Sequence, residues 1–268
     1  MKGVLRFSVL ASGSSGNSCY VETACARVLV DAGLSCRETE RRLHLVDVQP
    51  DSLDALIITH EHLDHIKGAG PLARRFDLPL FANLKTLEKG SKTLGNLPKP
   101  MIIRTGQTLT IGDLSVETFT KCHDAADPMG VVFFPTDGSS NSNGARVGLA
   151  TDLGRSTRLV EDRLKDCQAL IMEFNYDQEM LEDGPYPLDI KKRIKGPDGH
   201  LSNHKAGEIL AAVYNPGLRH VVLAHLSEVN NHPEKARKEA AKVLRQCGSG
   251  EASIAVSRQD APGPMIVP

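Results

Sequence analysis

One short run constrains this chain more than any bulk property does. Thr59-His60-Glu61-His62-Leu63-Asp64-His65 follows directly on the apolar stretch Ala55-Leu56-Ile57-Ile58. His60 and His62 are two positions apart, so in extended backbone both point to one side and can share an ion. Asp64 and His65 follow where the chain turns into a helix, within reach of a second ion. Imidazole and carboxylate donors suit zinc, manganese or iron. Four donors in one segment do not complete two metal shells, so the remaining ligands belong at the ends of later strands. His123 lies just past Val116-Glu117-Thr118-Phe119, Asp152 follows Val147-Gly148-Leu149-Ala150-Thr151, and His225 follows His220-Val221-Val222-Leu223-Ala224. Each is a donor placed after an apolar run, where loops gather at one sheet edge.

Composition removes several alternatives. The 268 residues are 40% hydrophobic and 24% charged, with 32 basic and 33 acidic side chains. That is the profile of a globular chain and not of a disordered or fibrous one. No apolar run approaches a membrane span, and residues 1–10 are too short and wrongly built for a secretory signal, so a cytoplasmic, soluble protein is expected. The charge balance excludes holding nucleic acid by global charge and leaves a local patch open. Trp is absent and aromatics are 4% of residues, which speaks against a stacking platform for single strands. The six cysteines are irregularly spaced, with no C-x-x-C pair, and read as reduced thiols. Cys122, beside His123, is the one to watch.

The apolar pattern predicts strands over 4–10, 19–21, 27–30, 55–59, 78–81, 101–103, 114–119, 130–134, 148–150, 169–172 and 220–224. It predicts helices over 36–45, 66–76, 156–164, 204–214 and 233–246. Strand clusters with helices between them imply layers, with sheets inside and helices outside. The polar, Gly-punctuated stretch 137–144 reads as a long hairpin loop.

The order His-x-His-x-Asp-His, then His, then Asp, then His resembles the metallo-β-lactamase-fold hydrolases. Asp31, in Val28-Leu29-Val30-Asp31-Ala32-Gly33, matches that family's early aspartate. The resemblance covers nearly the whole chain and implies one domain over 1–268, a four-layer αββα sandwich of two similar halves with a dinuclear site at one edge. It also implies His60, His62 and His123 on one ion, Asp64, His65 and His225 on the other, and Asp152 bridging them. The flavodiiron variant of the fold carries Glu where this chain has His62, which favours hydrolysis over redox chemistry.

Five further segments narrow the class: Leu10-Ala-Ser-Gly-Ser-Ser-Gly-Asn-Ser18; His123-Asp-Ala-Ala-Asp-Pro-Met-Gly130; Met172-Glu-Phe-Asn-Tyr-Asp177 with Gly184-Pro-Tyr-Pro187; Lys191-Lys-Arg-Ile-Lys-Gly196 with Gly199-His-Leu-Ser-Asn203; and His225-Leu-Ser-Glu-Val-Asn-Asn-His-Pro233. Together they resemble the YycJ/WalJ group of metallo-β-lactamase-fold nucleases. That likeness implies 5′-to-3′ exonuclease activity on double-stranded DNA in repair or replication. Two divalent ions, Zn²⁺ or Mn²⁺ with Fe also possible, generate a bridging hydroxide and stabilise the attacking and leaving oxygens of a phosphodiester. Asp64, Asp152 and His200 are the expected catalytic residues, with His200 binding phosphate or protonating the leaving oxygen. Ser14, Asn17, Asn175, Arg193, Ser202, Asn203 and Asn230 are expected at the substrate, although Ser202 or Asn203 serves equally well as a helix N-cap, and Asn175 and Asn230, with Glu173, serve there or as supports behind the metal ligands. Lys191, Lys192 and Lys195 join Arg193 as phosphate contacts or form a solvated helix face. DNA ends are the expected partner. A small-molecule hydrolase of the same fold, acting on a thioester, lactone or cyclic phosphodiester, is the alternative. The intact ligand set speaks against a non-catalytic binding protein.

Overall fold

A computed structural model describes residues 4–136, 145–248 and 251–268; the stretch read as a hairpin loop, 137–144, lies outside them. Among the described residues the chain forms two sheets. The first is built from β1 (Arg6–Ala11), β2 (Ser18–Glu22), β3 (Arg27–Val30), β4 (Ala55–Ile57), β5 (Pro79–Asn83) and β6 (Lys99–Ile103), side by side in that order. The second is built from β7 (Thr108–Ile111), β8 (Leu114–Thr120), β9 (Met129–Pro135), β10 (Val147–Ala150), β11 (Ala169–Glu173), β12 (His220–Ala224) and β13 (Ser253–Val256), again in sequence order.

Each sheet begins as an antiparallel meander and continues parallel: β3 to β6 in the first sheet, β10 to β13 in the second. Parallel neighbours need a crossover, and a helix is the usual one. The crossovers here are α1 (Cys36–Leu45), α2 (Leu63–Ile66) with α3 (Ala69–Phe76), and α4 (Leu84–Leu94) on the first sheet. On the second they are α5 (Arg158–Leu164), α6 (Gln178–Asp183), α7 (Leu188–Lys195) and α8 (Asn203–Val213), and α9 (Pro233–Gln246). The helices cover the outer faces, so the strands are buried on both sides and read as continuous apolar runs. Alternate residues then separate into layers. Val28, Val30, Ile57, Val131, Phe133, Ile171 and Val222 pack between the sheets. Leu29, Leu56 and Ile58 face Leu43 and Leu72 beneath α1 and α3, and Leu170, Val221 and Leu223 face Val160, Leu210 and Val243 beneath α5, α8 and α9. This is the αββα sandwich expected from the sequence.

Three differences have physical causes. The helix expected over 66–76 is broken into α2 and α3, because Pro71 has no N–H to continue the ladder and because Gly68 passes against another loop. A Cβ on Gly68 would lie 2.0 Å from the carbonyl oxygen of Leu34. The strand expected over 55–59 stops at Ile57, since Thr59 donates both its N–H and its hydroxyl to Asp31. The sequence reading also passed over α4, α6, α7, β7 and β13; α6 and β7 are short, β13 lies at a sheet edge with mixed exposure, and α4 and α7 show few buried residues to mark an apolar face.

Candidate metal centre

Strand direction assembles the site. β8, β10, β11 and β12 all point the same way, and ligands in α/β sheets gather beyond the carboxyl ends of strands. His123 follows β8, Asp152 follows β10, Glu173 ends β11 and His225 follows β12. From the first sheet Asp31 follows β3, while His60 and His62 follow β4 and lead into Asp64 and His65 in α2. Asp31, Asp152 and His225 turn the chain there with left-handed backbone, φ of 58°, 55° and 55°. Such conformations cost about 1–3 kcal/mol for non-glycine residues and collect at functional sites.

Two donor groups result, and a third, Asp152 with Glu173, His200 and His225, overlaps the second. His60, His62 and His123 each bring a ring nitrogen to within 4.8 Å of the others, and Asp64, His65, Asp152 and His225 do the same. The groups adjoin: Asp152 lies 3.2 Å from His65 Nε2, 3.5 Å from His225 Nε2 and 3.9 Å from His123 Nε2. His60 Nε2, His225 Nε2 and Asp152 Oδ2 are buried without any hydrogen-bond partner. Buried polar atoms are rarely left so, because each costs about 1–3 kcal/mol. Orphaned nitrogen and carboxylate lone pairs aimed into one space fit divalent cations.

A surrounding layer of side chains fixes these donors. Asp31 Oδ2 accepts from His65 Nδ1 at 2.8 Å, while its carboxylate also accepts the Thr59 N–H and hydroxyl. The Thr59 hydroxyl in turn lies 2.9 Å from His60 Nδ1. Glu173 is fully buried; Oε1 lies 3.0 Å from His225 Nδ1 and 2.7 Å from His200 Nδ1, and Oε2 accepts the Leu153 and Leu201 N–H groups. One carboxylate thus ties together the loops that carry Asp152, His200 and His225. Glu61 turns away from the histidines on either side and accepts the Ala126 N–H, anchoring the loop after His123. Gly33 admits the α2 turn: a Cβ there would sit 1.6 Å from the Asp64 carbonyl oxygen. Lys121 is buried and donates to the Thr151 carbonyl at 2.5 Å, linking the loops before His123 and Asp152.

Charge divides the two groups. Burial pushes His60 well below the usual histidine range and His123 down to about 4. Burial acts the same way on His65 and His225, but Asp152 with Asp31 holds His65 well above that range, and Asp152, Asp64 and Glu173 lift His225 to about 10. Burial alone would raise Asp152 and Glu173, yet the facing histidines keep Asp152 well below the carboxylate range and Glu173 at about 2. Burial lowers Lys121 as well.

The substrate residues expected from sequence are dispersed. Asn17 bonds Asp64 Oδ2 at 3.0 Å and Gly13, so it braces a donor. Ser14 is exposed on the same loop. Arg193, on α7, is held by Asp124 at 2.6 and 2.7 Å, and Asp124 lies 3.4 Å from His123 Nε2, so Arg193 does reach the rim of the site. Four of them are engaged within the protein. Asn175 is buried and donates to the His225 carbonyl at 2.7 Å; Asn203 is buried in an amide pair with Asn231; Ser202 caps α8 by accepting the Lys205 N–H; Asn230 is buried and supports Asp177 through its backbone carbonyl. Each side chain has a partner, or a burial, within the protein that a substrate contact would have to break. Glu173 supports the donors, one of the two roles open to it from sequence, while Lys121 and Asp124 were passed over. Glu173 carries the same signal as the donors, an acid at the end of an apolar strand; a buried lysine carries none.

A beta-lactamase superfamily domain model matches residues 26–226. The chain belongs to the metallo-β-lactamase superfamily. Exodeoxyribonuclease YycJ of Bacillus anthracis is 41% identical over 248 residues, covering 92% of this chain and 91% of that protein. Exodeoxyribonuclease WalJ of Streptococcus pneumoniae serotype 2 is 37% identical, covering 91% and 90%. This metallo-β-lactamase-fold enzyme therefore falls in the YycJ/WalJ group, as the sequence resemblance implied. The crystal structure of the metallo-β-lactamase fold protein YhfI from Bacillus subtilis superposes with a TM-score of 0.72 at 21% identity, covering 97% of this chain and 99% of that one, which shows the shared fold.

Proposed function

We propose that the protein is a two-metal exodeoxyribonuclease that digests double-stranded DNA from 5′ to 3′ in repair or replication, in the cytoplasm where its substrate lies. The observation that carries this reading is the position of Asp152, a buried carboxylate between two donor groups, its Oδ2 shut off from water and 3.2 Å from His65 Nε2 without a well-aligned hydrogen bond. The exodeoxyribonuclease relatives supply the substrate class. His60, His62 and His123 would hold one ion, Asp64, His65 and His225 the other, with Asp152 between them; zinc and manganese both suit such donors. Divalent ions there would supply Lewis-acid activation of water and neutralise charge building on the phosphoryl oxygens.

The chain's own side chains do the rest. Asp31 and Glu173 fix the rings of His65 and His225, so that each ring's Nε2 faces the centre. Glu173 also fixes His200 through Nδ1, leaving Nε2 to bind a phosphate oxygen or pass a proton to the leaving oxygen. Arg193 can exchange Asp124 for an incoming phosphate at the rim, since a guanidinium pairs with either in the same forked geometry. The test is digestion of end-labelled duplex DNA with added Mn²⁺ or Zn²⁺, comparing the wild type with Asp64→Ala. Metal-dependent release of nucleotides from 5′ ends, lost in Asp64→Ala, is the expected result. A metal-loaded protein that cuts no DNA or RNA end would overturn the reading.

A further inference from the structure

The metal centre accounts for one phosphate, but a duplex brings many. We propose that one flank of α9 is the track that carries the duplex away from the centre, with Lys235, Lys238, Lys242 and Arg245 as its phosphate contacts. This rests on the nuclease reading above.

A groove of roughly 400 Å³ runs along this flank, lined by all four cations and by Asp177, Ser202 and Asn203 at its near end. That end adjoins the site. Ser202 lies two positions beyond His200, Asp177 lies four beyond Glu173, and α9 begins eight residues after His225. The cations are spaced i, i+3, i+7 and i+10, which places them in one stripe along the helix. All four are exposed, while Ala236, Ala240, Val243 and Leu244 turn the opposite way into the core. Ten residues of helix rise about 15 Å. That matches about four steps of a strand that rises 3.4 Å per nucleotide.

Charge identifies the partner. Lys235 is paired with Asp177 at 2.9 Å and Lys242 with Glu239 at 3.1 Å, but among the described residues neither Lys238 nor Arg245 meets a carboxylate. Lys235 also faces Glu179 at 3.7 Å, so four cations meet three acids in a chain whose formal net charge is −1. The other basic run, on α7, is partly engaged: Arg193 holds Asp124, Lys195 faces Glu182 at 3.7 Å, and Lys191 donates to the Glu182 carbonyl, while Lys192 meets no carboxylate among the described residues. What sets α9 apart is alignment: its cations form one strip along a groove, suited to a polyanion of regular phosphate spacing.

The experiment is binding of a fluorescein-labelled 20-base-pair duplex to the full chain in EDTA, followed by anisotropy across a salt series. Lys238→Gln/Arg245→Gln is compared with the wild type and with Lys89→Gln/Lys92→Gln on α4, which loses the same charge elsewhere; circular dichroism checks that both fold. Each phosphate contact contributes about 0.9 to the slope of log affinity against log salt, so the α9 variant should lose about 1.8 of that slope and bind at least several-fold more weakly, with the α4 variant unchanged. Equal slopes for the wild type and the α9 variant, or no duplex binding by the wild type, would overturn the track. Duplex binding with the expected slope but no cleavage after metal loading would leave the track standing and remove the nuclease reading. Cleavage with equal slopes would do the reverse.

Discussion

Around His60, His62 and His123 the site is electrically quiet, because burial leaves His60 and His123 neutral through the physiological range. Around Asp64, His65, Asp152 and His225 it is crowded with charge: carboxylates on every side hold His65 and His225 protonated. The two donor groups adjoin, yet a cation meets different opposition in each. In the first it meets free lone pairs on His60 and His123; in the second it has to displace protons that the carboxylates stabilise. The same carboxylates attract the cation once those protons have left, so the second group is the more pH-sensitive one.

Ways to break this contrast differ in size. The largest effect belongs to the residue the groups share. Asp152→Asn should abolish cleavage and cost about 1–3 kcal/mol of stability, from the polar groups left without a partner. The fold should survive, because donors at strand ends lie outside the core; circular dichroism and a duplex digest check both parts.

Next come the carboxylates that orient the second group. Glu173→Gln and Asp31→Asn should each lower metal affinity or cleavage by about 10–100-fold. Thr59→Val, which removes the hydroxyl beside His60 Nδ1 in the first group, should cost less than either. Titration with Zn²⁺ against a competing chelator ranks the three.

The pH dependence sharpens the contrast further. His225 carries its proton up to about pH 10 before a cation binds, so raising the pH from 6 to 9 removes a competitor and strengthens binding at the second group. The gain is about tenfold per pH unit for each proton displaced. His60 and His123, both held low by burial, have no proton to lose over that range, and binding at the first group should depend on pH less steeply. Calorimetry in buffers of different ionisation enthalpy counts the protons released; equal counts for both groups would contradict the difference.

The smallest effect lies at the rim. Asp124→Asn frees Arg193 from an exposed pair and should change stability by less than about 1 kcal/mol in a thermal melt, as is usual for surface ion pairs.

The clustering of the donors and the layers were legible in the sequence for the same reason. Parallel strands buried on both faces are continuous apolar runs, and the donors follow immediately on those runs, as Asp152 and His225 do. What was hidden is whatever depends on which loops meet. Nothing local in Asn175 or Asn203 separates an amide that faces a substrate from one that closes a loop; only the meeting of the His225 loop with the β11 end does. Lys121 was hidden more deeply, since a lysine is ordinarily solvated and its burial depends on the Thr151 carbonyl from another strand. The break after Ile66 was half visible: Pro71 was on the page, but the approach of Leu34 to Gly68 was not.

The central claim is that these two donor groups hold two divalent ions around Asp152. Native mass spectrometry of the zinc-loaded protein at neutral pH counts them directly. Two ions on the wild type, with one on His123→Ala and one on His225→Ala, is the predicted result. A single ion on the wild type, or two retained by both variants, would contradict it.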